Sequence, residues 1–403
     1  MNRGPHIHTL GMFNLWDNDE FVPDPIATQS IRFSVALYQA VARCPGNIVL
    51  SPHSVALSLG LFALGAKGQT REDLIRTLAF ENFDAMKEWL PLIDMTFRDG
   101  GLSENEERCF RYESDNSLWI RQGASFLQSY LDEIVRTFGA HATEIPMDES
   151  GRQTINSHVS KSTHGMIPEV LQGPVSRQGL LIATSALWFS SEWEYPFLPE
   201  DTRNYVFHSS VGDLVLPFMH RTGKFACLGQ DGFKWIQIPY VGEHFDLEVF
   251  VPESGHTLHE LTQGEKLRTI LERNEEFFSK EQSSGFISLS IPRFSLFFGE
   301  SLVQSLVDMG TGCLFKSDAD FSNMTNSSES RIVSDVIHNV RLSLNEFGTE
   351  AASATLVLRK TGKLPKKEQT PKLFRIDRPF FFIVRHRESG LILFIGRIEN
   401  PAT

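Results

Sequence analysis

Cysteine is scarce in this 403-residue chain: Cys44, Cys109, Cys227 and Cys313 lie far apart, with no C-x-x-C pair and no histidine-rich neighbourhood. That spacing excludes the common zinc and dithiol motifs and leaves the thiols as small apolar side chains. No apolar run approaches the roughly 20 residues that a membrane-spanning helix needs. Positive charge is also short, 38 Lys and Arg against 50 Asp and Glu, a net charge of −12. A balance of that sign argues against nucleic acid or an anionic membrane as the partner. Residues Met1–Pro25 have no basic start followed by an apolar stretch, so no signal peptide is visible. An extracellular location is favoured, with a cytoplasmic one as the alternative. The acceptor triplets Asn323-Met324-Thr325 and Asn326-Ser327-Ser328 matter only if the chain is secreted.

Catalytic signatures are missing too. There is no G-x-S-x-G, H-E-x-x-H, G-x-x-x-x-G-K-[ST] or G-x-G-x-x-G in the sequence. Asp318 and Asp320 sit two apart like the start of a calcium loop, but the Gly and closing Glu are absent, so they read as an acidic turn. The 13 histidines have no metal-ligand spacing. His338, inside an apolar β run, reads as a hydrogen-bonded structural residue. Ser, His and Asp are plentiful, yet nothing in their order selects a triad. Neither a metal nor a cofactor is expected.

What is present is a large core. Hydrophobic residues make up 41% of the chain and phenylalanine alone contributes 32, rings that bury area without a polar atom to satisfy. Residues 1–25 lack periodicity and read as a flexible N-terminal extension. From 26 to 403 there is no repeat, linker or composition shift, which predicts one mixed α+β domain. Phe33, Leu37 and Val41 mark a first helix. Ser51-Pro52 starts a buried helix over about Ser54–Gly65, and Thr70 is an N-cap candidate for the next. Further helices are expected near Ser125–Phe138, Gln153–Gly165 and Leu258–Glu272. Residues 180–197 form a nearly continuous apolar strand, as in a sheet covered on both faces. Tyr205–Leu216, Phe225–Ile238, Leu247–Val251, Ile287–Phe297, Arg331–Leu344, Phe380–Val384 and Leu391–Ile398 complete the β inventory.

The most informative stretch is Asn345-Glu346-Phe347-Gly348-Thr349-Glu350-Ala351-Ala352-Ser353-Ala354-Thr355. A settled strand prefers bulky β-branched and aromatic residues, and a solvated turn prefers Pro, Gly, Asn and Asp. Ala, Ser and Thr fit a loop and also slide between strands. The run passes into a basic segment, Arg359-Lys360-Thr361-Gly362-Lys363-Leu364-Pro365-Lys366-Lys367.

Six blocks in order then resemble the serpin family over about residues 28–401. They are Asn47-Ile48-Val49-Leu50-Ser51-Pro52-His53-Ser54 with Leu64-Gly65-Ala66-Lys67-Gly68-Gln69-Thr70; Ile155-Asn156 with Thr163-His164-Gly165-Met166-Ile167; Phe189-Ser190-Ser191-Glu192-Trp193 with Phe197; Met309-Gly310, Phe315 and Ala319-Asp320-Phe321-Ser322; Asp377-Arg378-Pro379-Phe380-Phe381-Phe382-Ile383; and Leu393-Phe394-Ile395-Gly396-Arg397-Ile398-Glu399-Asn400-Pro401. The resemblance implies an α+β serpin fold, about eight or nine helices around three β-sheets, with 345–370 exposed as a reactive-centre loop. It implies a monomeric suicide substrate for a serine protease. The protease cleaves the loop, which then inserts as a central strand and traps the enzyme covalently. The chain itself supplies no catalytic residue.

The hinge implied by the resemblance is Glu346, Gly348, Thr349, Glu350, Ala351, Ala352, Ser353, Ala354 and Thr355. Period-two alternation puts Thr349, Ala351, Ser353, Thr355 and Val357 on the core face of an inserted strand, and Gly348 supplies backbone freedom. Two residues depart from the pattern. Phe347 stands where a small or charged residue is usual, and Arg359 points inward late in insertion, where burying a charge is costly. The alternative is a non-inhibitory serpin, a carrier or chaperone. Counting from Glu346 by the spacing usual in the family, the resemblance implies a scissile bond after Gly362. A shift by one gives Lys363-Leu364, which suits a trypsin-like pocket with a buried carboxylate. Lys363 is preferred, with Lys360 and Arg359 as alternatives, against the reading of these bases as a solvated loop.

Other roles come from the same resemblance. Ser51, Ser54 and His338 match the cluster where strands part, with Ser185 replacing the usual Asn. Asn156 belongs to the second block, and Glu346 is expected to pair with Arg293 near Trp193. Asp84–Phe97 has Lys87 as its only Lys or Arg, so strong heparin binding there is not expected.

Overall fold

The computed structural model describes residues 25–43, 45–98, 109–173, 175, 180–230, 232–272, 283–326, 333–349 and 370–402. The expected N-terminal extension up to residue 24 lies outside them, as do Glu350, Ala351, Ala352, Ser353, Ala354, Thr355, Arg359, Lys360, Gly362, Lys363 and Leu364. The helices are α1 (Pro25–Val41), α2 (Pro52–Gly65), α3 (Gly68–Thr77), α4 (Phe83–Arg98), α5 (Gln128–Phe138), α6 (Glu149–Ser162), α7 (Leu258–Thr262), α8 (Gly264–Leu271) and α9 (Val303–Leu306). The strands are β1 (Ile48–Leu50), β2 (Phe110–Arg121), β3 (His141–Ile145), β4 (Leu181–Glu192), β5 (Arg203–Ser209), β6 (Gly212–Gln230), β7 (Phe233–Pro239), β8 (Phe245–Pro252), β9 (Ser283–Pro292), β10 (Phe294–Ser301), β11 (Val333–Asn345), β12 (Gly348–Thr349), β13 (Lys372–Arg375), β14 (Phe380–His386) and β15 (Ile392–Ile398).

Helix α2 shows why the sequence folds as it does. Ser51 accepts the Ser54 N–H at 3.4 Å, and Pro52 occupies the first turn, where a missing N–H costs nothing. Every residue of α2 is buried, as its unbroken apolar composition requires. Strand β4 likewise has two covered faces. Leu181, Ala183, Leu187 and Phe189 enter the main apolar clusters. Ile182 and Ala186 pack with Trp119, Ile337 and the α6 residues Ile155 and Val159.

A six-stranded sheet runs β10-β11-β12-β4-β2-β3, and a nine-stranded one runs β1-β15-β14-β8-β7-β6-β9-β13 with β5 on β6. Strand β6 pairs with β9 over 218–227, while its other edge pairs with β5 over 212–218 and with β7 over 226–230. Two of the three expected sheets therefore share β6, and the α+β serpin architecture holds.

Several local expectations are corrected. The single helix expected at 258–272 is two, because Gln263 is extended and serves as the boundary of both. The N-cap of α3 is Lys67. Thr70 instead accepts the Asp320 N–H at 3.0 Å through Oγ1, tying α3 to the Ala319–Ser322 turn. The segment 205–216 is a hairpin, closed by Ser209 Oγ donating to the Gly212 carbonyl at 2.6 Å. The run 287–297 breaks at Arg293, where the chain leaves one sheet for the other.

Candidate functional site

The six-stranded sheet has a fork. Strands β4 and β11 pair in parallel from Val333↔Leu181 to Val340↔Leu187. Above that point they part and β12 lies between them, antiparallel to both, with Thr349 opposite Leu344 and Ser191, and Gly348 opposite Asn345 and Glu192. The first hinge residues therefore already occupy the top of the slot.

The turn that places them there is fixed by Asn345, whose Oδ1 accepts the N–H groups of Phe347 at 2.9 Å and Gly348 at 3.3 Å. Local side-chain acceptors of this kind hold tight turns without a helix or ladder. Gly348 is required by proximity: a Cβ there would lie 2.0 Å from the Ser191 carbonyl oxygen. Freedom of rotation is the lesser reason; a close backbone approach is the greater. Thr349 is fully buried, and its Oγ1 lies 2.5 Å from the Tyr240 hydroxyl. Trp193 stacks on Tyr240 with ring centroids 4.6 Å apart. Its indole N–H donates to the Asn345 carbonyl at 2.9 Å, and its backbone N–H donates to the Phe347 carbonyl at 2.8 Å.

Beside this turn the Glu346 carboxylate is almost fully buried. It accepts from Arg293 Nε at 2.6 Å, from Arg293 Nη2, and from Thr202 Oγ1 at 2.5 Å. Arg293 reaches it because its residue sits at the β9–β10 break, with its N–H held by the Pro217 carbonyl at 3.0 Å. A buried carboxylate persists when charge and hydrogen bonds compensate its lost hydration. Here both do. Phe347 lies in the turn, with its carbonyl taken by Trp193.

Lower in the sheet His338, Ser185 and Asn116 stand in one lateral row across β11, β4 and β2. The Ser51 N–H donates to His338 Nε2 at 3.0 Å, so the ring proton is on Nδ1, which donates to Ser185 Oγ at 2.8 Å. Burial pushes the imidazole down to about 3, and it remains neutral. Ser58 Oγ donates to Asn116 Oδ1 at 3.1 Å. Ser54 contributes its backbone N–H to Ser51, while no partner for its Oγ is found among the described residues. Sequence reasoning missed Thr202, Tyr240, Ser58 and Asn116. The one available signal was Ser58, a polar residue in an otherwise largely apolar helix.

Helix α6 covers the sheet below the fork, packing Ile155 and Val159 with Ile182, Ala186 and Ile337. Asn156 accepts the Val170 and Leu171 N–H groups, both at 3.0 Å, and donates to the Leu171 carbonyl at 3.0 Å. It pins the segment after α6 and touches none of the groups at the fork. On α4, Lys87 pairs with Glu133 at 3.0 Å, and Arg98 pairs with Asp94 at 2.6 Å. Cys109 is buried and Cys227 and Cys313 are half-buried. Asp320 Oδ1 accepts the Ser322 N–H at 3.0 Å, as a turn does. No group of three or more candidate metal ligands exists among the described residues.

A family model described as serpin, serine protease inhibitor, matches residues 28–401. The chain is 31% identical over 383 residues to an uncharacterized serpin-like protein of Thermococcus kodakarensis, covering 94% of this chain and 86% of the relative. It is 29% identical over 392 residues to the leukocyte elastase inhibitor of Homo sapiens, covering 94% and 100%. The crystal structure of human thyroxine-binding globulin in complex with thyroxine superposes with a TM-score of 0.81 at 21% identity, covering 93% of this chain and 98% of the other. At that identity the likeness concerns the fold alone.

Proposed function

Because the chain belongs to the serpin family, we propose that it inhibits a trypsin-like serine protease as a monomeric suicide substrate, with Lys363-Leu364 as the scissile bond. The protease serine attacks the Lys363 carbonyl, the peptide bond to Leu364 breaks, and the Leu364 amine leaves. Lys363 stays esterified to the enzyme while the freed loop enters the sheet. The human relative, an elastase inhibitor by name, supports inhibition of a serine protease. The lysine favours a different pocket, one with a carboxylate at its base.

The single observation that carries this reading is the seating of Gly348 and Thr349 between β4 and β11. Each residue beyond Thr349 pairs one place further back on both neighbours. In that register Ala351 falls between Phe189 and Leu342, Ser353 between Leu187 and Val340, and Thr355 between Ser185 and His338. All of these neighbours are buried, and all of the entering side chains are small. Insertion exchanges one parallel ladder for two antiparallel ones. About ten added hydrogen bonds at ~1 kcal/mol net each give roughly 10 kcal/mol. That is comparable with the whole stability of a domain, so the uncut fold is held kinetically.

The test is incubation with trypsin, chymotrypsin and elastase, followed by a denaturing gel and N-terminal sequencing of the released C-terminal peptide. A detergent-stable adduct with trypsin and a peptide beginning at Leu364 is expected. Cleavage by all three without an adduct, and without a rise in melting temperature afterwards, would overturn inhibition and leave the carrier reading. A peptide beginning at Lys363, Lys360 or Thr361 would move the scissile bond to Gly362, Arg359 or Lys360.

A further inference from the structure

Strands β5, β6 and β13 place Arg203, Lys224 and Arg375 on one face of the sheet, with Asp201 as the carboxylate that acts on this group. In a chain of net charge −12 this is a reversal of sign. Within it one lateral row is unusual. His220 lies opposite Ser290, and Ser290 lies opposite Arg375, so the three side chains share one face across β6, β9 and β13. Ser290 Oγ is 3.0 Å from His220 Nδ1. The Arg375 guanidinium lies 4.5 Å over the Tyr205 ring, and Tyr205 meets His220 with ring centroids 5.2 Å apart.

Arg375 has no ion pair among the described residues, and its Nε is buried without a hydrogen-bond partner. The nearby Asp377 is turned to Arg378 at 3.1 Å. A guanidinium is the side chain best shaped for a planar oxyanion, and an orphaned buried donor carries a desolvation cost. The imidazole bears the mark of the same imbalance. Burial first, then Arg375, hold His220 below its ordinary value; Arg203 adds to this, while the Leu289 backbone and Asp201 oppose it. A stacked cation, a half-buried histidine and a hydroxyl converge here, and among the described residues no carboxylate is paired with the guanidinium.

We infer that Arg375, His220 and Ser290, floored by Tyr205 and rimmed by Arg203, form a binding site for an oxyanion such as a carboxylate or sulfate. Two sources supply that chemistry: a free inorganic anion, or an acidic side chain of a protease held on the adjoining loop. The second rests on the function proposed above. It is within reach, because the eight residue-to-residue steps from Leu364 to Lys372 span at most roughly 26–29 Å. A bound anion adds negative charge beside the imidazole and offsets the Arg375 share of its depression, so binding takes up a proton and tightens toward acid.

The probe is inorganic sulfate, titrated at constant ionic strength against chloride while the His220 ring is followed by NMR. Saturable binding is expected, tighter at about pH 6 than at about pH 8, with the His220 pKa rising on saturation. Arg375→Gln should weaken it about tenfold, as expected for loss of a charge-assisted contact, with His220→Gln removing the pH dependence. Both variants are checked for an unchanged melting temperature, and the NMR arm on the unaltered protein decides if either fails to fold. No saturable effect beyond chloride, with a static His220 resonance, overturns the site. A second arm measures the rate of adduct formation with trypsin. Competition by sulfate, and slower association of Arg375→Gln, assign the site to a protease carboxylate. Sulfate binding without either effect assigns it to a free anion. Absence of any adduct sinks the inhibitor reading and leaves the sulfate arm intact.

Discussion

Thr349 and Tyr240 share a buried hydrogen bond of 2.5 Å although 109 residues separate them. Burial pushes the phenol upward and keeps it neutral. With Trp193 stacked beneath, this pair holds the hinge at the top of the slot. It makes the entry of further residues a continuation of a strand already begun.

Gly348→Ala should expel that strand. The added Cβ would meet the Ser191 carbonyl oxygen at 2.0 Å, with Glu192 Cα at 2.7 Å, and neither is a flexible side chain. A loss of about 1–3 kcal/mol in the uncut protein is expected, the usual cost of overpacking, read from denaturant unfolding. Trypsin should then turn the variant over with less adduct, read from the ratio of the two gel bands. An unchanged ratio would remove Gly348 from the insertion path.

Arg293→Ala leaves the Glu346 carboxylate buried with Thr202 as its remaining side-chain donor. About 1–3 kcal/mol should be lost, as for a buried acceptor deprived of a partner, and spontaneous loop insertion and polymerisation on warming should accelerate. Glu346→Gln, which keeps the shape, should fall between. If incubation near the melting temperature gives equal rates for Arg293→Ala and the unaltered protein, the pair does not restrain the fork.

Thr355→Val tests the register itself. In the uncut protein it should be silent. After cleavage Thr355 is expected to separate Ser185 from His338 and to take over the Nδ1–H that Ser185 now accepts at 2.8 Å. Valine leaves that donor buried and unpaired, which costs about 1–3 kcal/mol. The rise in melting temperature after cleavage should shrink in the variant, and an undiminished rise would mean a different register.

The tether of α6 should depend on pH. His158 Nε2 lies 2.7 Å from Asp115 Oδ2. The Asp115 hydrogen bond raises the His158 pKa against burial, with Lys161 opposing and His141 packed alongside. Burial would lift the Asp115 pKa, but hydrogen bonds from His158 and Ser117 hold it below 3.8. The histidine's share of stability is therefore complete below pH 6.5 and fades as pH rises through its higher folded value. The aspartate's share is present above pH 3.8 and fades as pH falls through its lower one. Since His158 is partly exposed, solvent screening keeps the effect small. The buried neutral His338 pulls the other way, so the readout is the difference: the melting temperature of the unaltered protein minus that of His158→Gln should shrink slightly from about pH 6 to pH 8, and a constant difference would remove the pair from the tether.

Much of this was legible. The small-residue run after Gly348, the buried helix after Ser51-Pro52 and the doubly covered strand β4 all follow from composition and periodicity. The roles of Ser51, Ser185, His338 and the Arg293–Glu346 pair were expected by family resemblance, and the structure brings each of these groups within hydrogen-bond distance of a partner. Tyr240, Thr202 and Asn116 were not legible, because an isolated tyrosine, threonine or asparagine carries no signal until its neighbour across a sheet is known. The row His220, Ser290 and Arg375 was hidden for the same reason, being drawn from three strands far apart in the chain.

By itself the sequence determined that 345–355 fits either a loop or a strand, since Gly, Ala, Ser and Thr meet no steric objection in either. Only the tertiary structure decided where the strand begins. Pairing register depends on which backbone lies alongside, and here β4 and β11 part at Leu187 and Val340 to admit Gly348 and Thr349.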